Sequence, residues 1–237
     1  MIFTMILAGG KGNRMGNKDI PKQFLILGDK PIIIHTIEKF LLFNEINEVI
    51  ALCPKEWLIH TKNLLHKHCI PESRVTVVEG GDTRHRTIQK GISFLQDHRN
   101  ASSNDIIITH DAVRPFVSYR IIKENIEQCV AHGAVDTVIP ATDTIVRSED
   151  GRTLNEIPPR QELYQGQTPQ SFRIGTIIDS YRSLESQEIE MATDAAKIAL
   201  LNGKDVYIVI GESTNLKITT PSDLLFANAI LKEGVVK

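Results

Sequence analysis

Ile2-Phe3-Thr4-Met5-Ile6-Leu7-Ala8-Gly9-Gly10-Lys11-Gly12-Asn13-Arg14-Met15-Gly16 is the stretch whose reading sets the architecture. Residues 2–7 have the apolar, β-branched character of a buried strand. From Ala8 onward glycines replace side chains, so backbone N–H groups can turn inward and approach an anion closely. The pattern is not a G-x-x-x-x-G-K-[ST] loop, and the spacing from Gly10 misses G-x-G-x-x-G. Alone it would suit an ordinary tight strand-to-helix turn equally well. Its neighbours favour a phosphate cradle: Arg14 lies inside the loop and Pro21-Lys22-Gln23 follows, so two cations can converge on one polyphosphate. A plain surface role for Lys22 is the alternative.

Outward from that strand, short β-branched runs alternate with segments of helical period. Glu48 to Leu52, Val75 to Glu79, Ile106 to Thr109, Val135 to Ile139 and Val206 to Ile210 read as further strands. Ile34, Ile37 and Leu41, then Ile88, Ile92 and Leu95, then Ile122, Ile126 and Val130, mark helices with one buried stripe each, and Pro221 starts a terminal helix. This alternation predicts an α/β fold: one Rossmann-like domain over residues 1–237, its mostly parallel sheet covered by helices on both faces. Ligands should then bind beyond the carboxyl ends of the strands. Thr142 to Arg160 breaks the alternation; it is polar and turn-rich, ends in Pro158-Pro159-Arg160, and reads as a projecting arm.

Lys and Arg total 27 against 29 Asp and Glu, so no overall field draws the chain to nucleic acid or to an anionic membrane. The apolar runs are far below a membrane span, and the first residues run straight into a strand, so a cytoplasmic location is expected. Cys53, Cys69 and Cys129 form no C-x-x-C pair and fit a reducing compartment. His66, His68 and Cys69 crowd together, but no second cluster completes four metal ligands.

The loops after the third and fourth of these strands hold the most unusual residues. Gly80-Gly81-Asp82-Thr83-Arg84, with Thr87 one turn on, suits a base and ribose, or a turn with an N-capping Asp. Thr109-His110-Asp111-Ala112-Val113-Arg114-Pro115 places Asp111 where it could meet a triphosphate and its Mg²⁺, or simply pair with Arg114. Downstream lie Asp143-Thr144 and Arg160 on the arm, Gln167-Thr168-Pro169-Gln170 on a segment that reads as a loop, Thr193-Asp194, where a helix cap is the plainer reading, and Lys217.

The ordered set L-A-G-G-x-G-x-R-M, P-K-Q, G-G-D-x-R, H-D-A-V-R-P, D-T, Q-T-P-Q, T-D-A and N-L-K-I-T spans positions 7 to 219 and resembles the cytidylyltransferases of polyol phosphates. The resemblance implies a homodimer whose arms are exchanged, CTP and a polyol phosphate as substrates, and Mg²⁺ near Asp111. It implies nucleotide contacts at Leu7, Ala8, Gly9, Gly10, Gly81, Asp82, Thr87 and Asp111, and catalytic phosphate contacts from Arg14, Lys22 and Lys217. Arg114, Thr144, Arg160, Thr168, Thr193 and Asp194 correspond to positions around the acceptor phosphate. Val113, the string Tyr164 to Gln170 and Thr219-Thr220-Pro221 look like the branch that makes CDP-ribitol for teichoic acid precursors. The isoprenoid branch, acting on 2-C-methyl-D-erythritol 4-phosphate, more often has Ala at position 113, Trp near 164 and Arg at 220. Two other classes would leave different marks: a sugar transferase is expected to carry Asp-x-Asp, which the chain lacks, and a non-catalytic nucleotide binder would not need cations on the arm.

Overall fold

The computed structural model describes residues 1–10 and 20–234. Arg14, one of the expected phosphate contacts, lies outside the described residues. In chain order the elements are β1 (Ile2–Leu7), β2 (Ile26–Leu27), β3 (Lys30–Pro31), α1 (Ile32–Leu41), β4 (Glu48–Cys53), α2 (Leu58–Lys67), β5 (Val75–Glu79), α3 (Arg84–Arg99) and β6 (Ile106–Asp111). There follow α4 (Tyr119–His132), β7 (Ala134–Pro140), β8 (Tyr164–Arg173), α5 (Ile174–Ser183), α6 (Ser186–Met191), α7 (Ala195–Leu201), β9 (Tyr207–Ile210) and α8 (Pro221–Glu233).

Seven strands form one sheet in the order β5-β4-β1-β6-β8-β7-β9. Every neighbouring pair is parallel except the two made by β8, which runs antiparallel to β6 and to β7. The expected mostly parallel sheet is therefore present, with one reversed strand over Gln167 to Gln170, where the sequence predicts a loop. Pro169 explains the misreading, because proline donates no hydrogen bond and is unusual inside a sheet. Here it sits where the β7–β8 register shifts, between Asp136 and Val138, and its carbonyl accepts from Thr137 Oγ1 at 2.6 Å.

Alternate side chains feed two cores. Ile106, Ile108, Val135 and Val209 face α1 and α4, while Ile107, Ala134 and Phe172 face α3, α5 and α7. The α4 stripe differs from expectation: Ile121, Ile122, Asn125 and Cys129 are buried, whereas Val130 is exposed. A third cluster of Leu27, Ile32, Val113, Phe116, Ile218 and Ala227 seats α8 against the β2–β3 hairpin. Thr220 and Asp223 close the N-terminus of α8 with a capping box. Among the described residues no helix is long and apolar enough to cross a membrane.

Residues 142–160 leave the sheet between β7 and β8 as an exposed excursion, joined by an antiparallel bridge between Arg147 and Glu156. Its tip is an Asp150 turn, in which the carboxylate accepts from the Arg152 and Thr153 backbone N–H groups at 2.8 Å each. Arg160 donates to the Thr142 carbonyl at 3.0 Å and ties the base together. The arm is less polar than its composition suggests, since Ile145, Val146, Leu154 and Ile157 are all exposed.

Candidate active site

Leu7 and Asp111 are register partners on β1 and β6, so the loops leaving these strands are neighbours. The β4 end joins them to a third loop: Ala8 N–H donates to the Leu52 carbonyl at 2.8 Å, and Gly80 N–H to the Cys53 carbonyl at 2.9 Å. A pocket of about 460 Å³ opens where they meet, lined by Leu7, Gly9, Gly10, Lys22, Gln23, Gly81, Asp82, Thr83, Arg84, Thr87, Asp111, Ala112, Val113 and Lys217. Most expected nucleotide and phosphate contacts are therefore brought together. Ala8 is buried beneath them, its carbonyl accepting from Gln23 Nε2 at 2.6 Å, which pins the Pro21-Lys22-Gln23 turn to the glycine loop.

Close approach needs glycine at Gly81. A Cβ there would fall 2.5 Å from Arg86 Cβ and 2.8 Å from the Thr87 nitrogen. The bare loop is held by Thr87, whose hydroxyl accepts from Gly81 N–H at 3.0 Å and donates to the Thr83 carbonyl at 2.8 Å. The N-cap of α3 is Thr83, which accepts from Arg86 N–H, and not Asp82, whose carboxylate pairs with Arg86 at 2.7 Å on the surface. Asp82 thus stays at the pocket rim, where a ribose hydroxyl could reach it.

Asp111 is buried and receives three cations: Arg84, Arg114 at 3.4 Å and Lys217 at 2.9 Å. Burial alone would raise its carboxyl, but Arg84, Lys217 and Arg114 outweigh that and hold it well below the usual carboxylate range. Among the described residues that line the pocket, Lys22, Arg84 and Lys217 stand against Asp82 and Asp111, an excess of one positive charge. That excess suits a polyphosphate. Arg84 was visible in the G-G-D-x-R string but had no role there; its partner is 27 residues away, and nothing local marks the pairing.

Behind Asp111 the polar groups form a closed relay. Asp111 N–H donates to Thr168 Oγ1 at 3.1 Å, and Thr168 Oγ1 lies 3.0 Å from His110 Nδ1. His110 Nε2 meets the Arg114 carbonyl at 3.0 Å. A carbonyl only accepts, so Nε2 carries the proton and Nδ1 accepts from Thr168. Burial pushes His110 down to about 4, so it is neutral near pH 7 and is no proton donor to the pocket.

The expected acceptor residues are not gathered in this pocket. Arg114 is buried against Asp111 and the Asn215 carbonyl, the latter at 2.7 Å, so its ion pair with Asp111 is a structural fact. Thr168 spends its hydroxyl in the relay. Asp194 caps α7, accepting from Lys197 N–H at 2.9 Å, and Thr193 beside it is exposed. Thr144 and Arg160 are exposed on the arm and do not line the pocket.

For a divalent metal, no group of three His, Cys, Asp or Glu among the described residues forms a protein-only cage. Mg²⁺ is commonly held by one or two carboxylates together with substrate phosphates. Asp111, the expected metal residue, lines the pocket, and its oxygens face Arg84, Arg114 and Lys217, so a divalent ion there would take the place of one of these cations.

Comparison with known proteins agrees with this geometry. The chain matches the family model IspD, 2-C-methyl-D-erythritol 4-phosphate cytidylyltransferase, over residues 2–233. It is similar to the 4-diphosphocytidyl-2C-methyl-D-erythritol synthase of Anaerococcus prevotii, with 27% identity, TM-score 0.79, and 98% of this chain and 96% of that one covered. The 2-C-methyl-D-erythritol 4-phosphate cytidylyltransferase of Francisella tularensis has 25% identity and TM-score 0.80, with 96% and 98% covered. That of Thermus thermophilus has 26% identity and TM-score 0.73, with 98% and 100% covered. A match over nearly the whole length, on a sheet whose strand ends carry a cationic pocket of about 460 Å³, makes this chain a nucleotidyltransferase belonging to the 2-C-methyl-D-erythritol 4-phosphate cytidylyltransferase family.

Proposed function

We propose that the protein transfers CMP from CTP to a polyol phosphate, with ribitol 5-phosphate as the acceptor and CDP-ribitol and pyrophosphate as products. The observation that carries cytidylyl transfer is Asp111 ringed by Arg84, Arg114 and Lys217 beside the glycine loop. An oxygen of the acceptor phosphate attacks the α-phosphorus of CTP in line. The new P–O bond forms as the bond to the bridging oxygen breaks, and that oxygen leaves with the electron pair on pyrophosphate. The attacking phosphate is already ionised, so no general base is needed, in keeping with the neutral, internally bonded His110. Like-charge repulsion is then the main barrier. Lys22, Lys217 and Arg14 are the side chains assigned to offset it. Mg²⁺, held at Asp111 with the triphosphate, would supply further charge neutralisation.

For the acceptor, the comparisons taken alone lend more support to 2-C-methyl-D-erythritol 4-phosphate, the substrate in the names of the family and of its solved members. Identities of 25–27% carry the fold and the CTP chemistry further than the choice of polyol, which rests on a few hydrogen bonds. Three positions support ribitol 5-phosphate. Val113, Tyr164 and Thr220 look like the ribitol branch, where the isoprenoid branch more often has Ala, Trp and Arg, and Val113 lines the pocket. Pyrophosphate release with CTP and each polyol phosphate, side by side, is the deciding assay. We expect kcat/KM higher with ribitol 5-phosphate; a preference for methylerythritol phosphate would replace this acceptor with the other, and CTP binding without turnover on either would leave only a nucleotide-binding module.

A further inference from the structure

One row of side chains crosses the sheet just behind the cationic pocket. Thr109 of β6 pairs in register with Gln170 of β8, which pairs with Asp136 of β7. They share the face of Ile107, Phe172 and Ala134, the face covered by α3, α5 and α7. The first residue of α3, Arg84, and the cap of α7, Asp194, stand within electrostatic reach of Asp136. Gln170 is only 1% exposed, and its amide donates to Asp136 Oδ1 at 2.9 Å. Among the described residues its other amide atom, Oε1, has no hydrogen-bond partner, and neither has Arg84 Nε.

A polar row that merely filled the sheet would be satisfied internally. This one is not, and it is open on one side. Asp136 is partly exposed, Thr193 and Gly166 are exposed, and a Cβ at Gly166 would come within 4.0 Å of Asp194 Oδ2, so β8 presents bare backbone toward the cap of α7. Arg84 and Arg114, two cations whose charge reaches Asp136, both pair with Asp111.

We propose that Asp136, positioned by Gln170, reads the hydroxyl chain of the acceptor and so sets which polyol phosphate is used. This rests on the polyol-phosphate reading above. Two carboxylates, Asp136 and Asp194, would repel a phosphate but accept hydrogen bonds from hydroxyls. Among the described residues the row offers one unpartnered acceptor, Gln170 Oε1, and one unpartnered donor, Arg84 Nε, and a hydroxyl is both donor and acceptor. The row also orients the ligand: a hydroxyl tail at Asp136 directs the phosphate end toward the cations around Asp111. Burial raises the Asp136 carboxyl to about 7, with the Gln170 amide opposing and Asp194 adding to the rise.

The test compares wild type with Asp136→Asn and Asp136→Ala, measuring KM for CTP, KM for the acceptor and kcat with ribitol 5-phosphate and with methylerythritol phosphate. We expect acceptor kcat/KM to fall about 10- to 100-fold, through KM first, with KM for CTP nearly unchanged and the ratio between the two acceptors moving toward one. Should the Ala variant fail to fold, the isosteric Asn variant carries the test. An unchanged acceptor KM in a folded variant overturns the proposal, as does an equal loss for CTP and acceptor accompanied by a lower melting temperature. Wild type inactive on both polyol phosphates would instead remove the functional reading, and this inference with it.

Discussion

Each cation on Asp111 comes from a different segment: Arg84 from the start of α3, Arg114 from the turn after β6 and Lys217 from the run between β9 and α8. They differ in exposure, and that separates their roles. Arg114 is buried and also holds the Asn215 carbonyl, so it braces the site; Lys217 is exposed and can turn from Asp111 to a ligand phosphate. Lys22 lines the same pocket, and its stem would lie 3.5 Å from a Cβ at Gly10. Lys22→Ala and Lys217→Ala should therefore each lower kcat by orders of magnitude, since preorganised charge at the transition state is worth roughly 3 kcal/mol, with melting temperatures close to wild type. Arg114→Ala should lower the melting temperature as well. Near-normal turnover in the Lys22 variant at saturating Mg²⁺-CTP would end its assignment. The chemistry of these residues was legible as residue types in motifs. That three of them meet on one carboxylate was not, because it depends on which strand ends adjoin.

At the scale of elements, His110 on β6, which is buried, and Asp136 on β7, which is partly exposed, pull stability in opposite directions. His110 on β6 titrates at about 4, below its ordinary 6.5, so stability is lost as pH falls from 6.5 toward 4 and the unfolded chain takes up the proton. Asp136 on β7 titrates at about 7, above its ordinary 3.8, so its contribution is full below about 4 and is lost as pH rises toward 7. Between those limits each slope is at most about 1.4 kcal/mol per pH unit, and they oppose each other. Asp136→Asn removes one of them. Urea unfolding of wild type and variant across this pH range should show the variant gaining stability relative to wild type as pH rises; a difference independent of pH would sink this account. β8, which binds both strands, was the element hardest to foresee. Its ladder tolerates Pro169 only because the register breaks beside it, and that break belongs to the pairing with β7 and not to β8 alone.

For the whole molecule, the arm is the feature that one copy leaves unexplained. Four exposed apolar side chains on an excursion of residues 142–160 suit a second subunit, and neither Thr144 nor Arg160 lines the pocket of its own chain. We expect a two-fold dimer in which each arm completes the partner's acceptor site. Mixing Lys22→Ala subunits with Arg160→Ala subunits, after dissociation and reassociation, makes about half the dimers mixed; if arms are exchanged, each mixed dimer holds one wholly intact site, and about a quarter of normal site activity returns. Activity remaining at the level of the separate mutants, with exchange of subunits demonstrated, would refute the swapped arm.

The sequence by itself determined the strand-loop-helix alternation, the glycine loop, the run of polar motifs at strand ends and the polarity break at the arm. These are local properties: period, turn chemistry and residue type all act within a few positions. Only the tertiary structure decided that β8 is reversed and central, that Arg84 belongs to Asp111, and that Asp136, Gln170 and Asp194 share one open face. Those facts depend on strand order and register, which bring together groups as far apart as Lys217 and Asp111 through a sheet that no local pattern encodes.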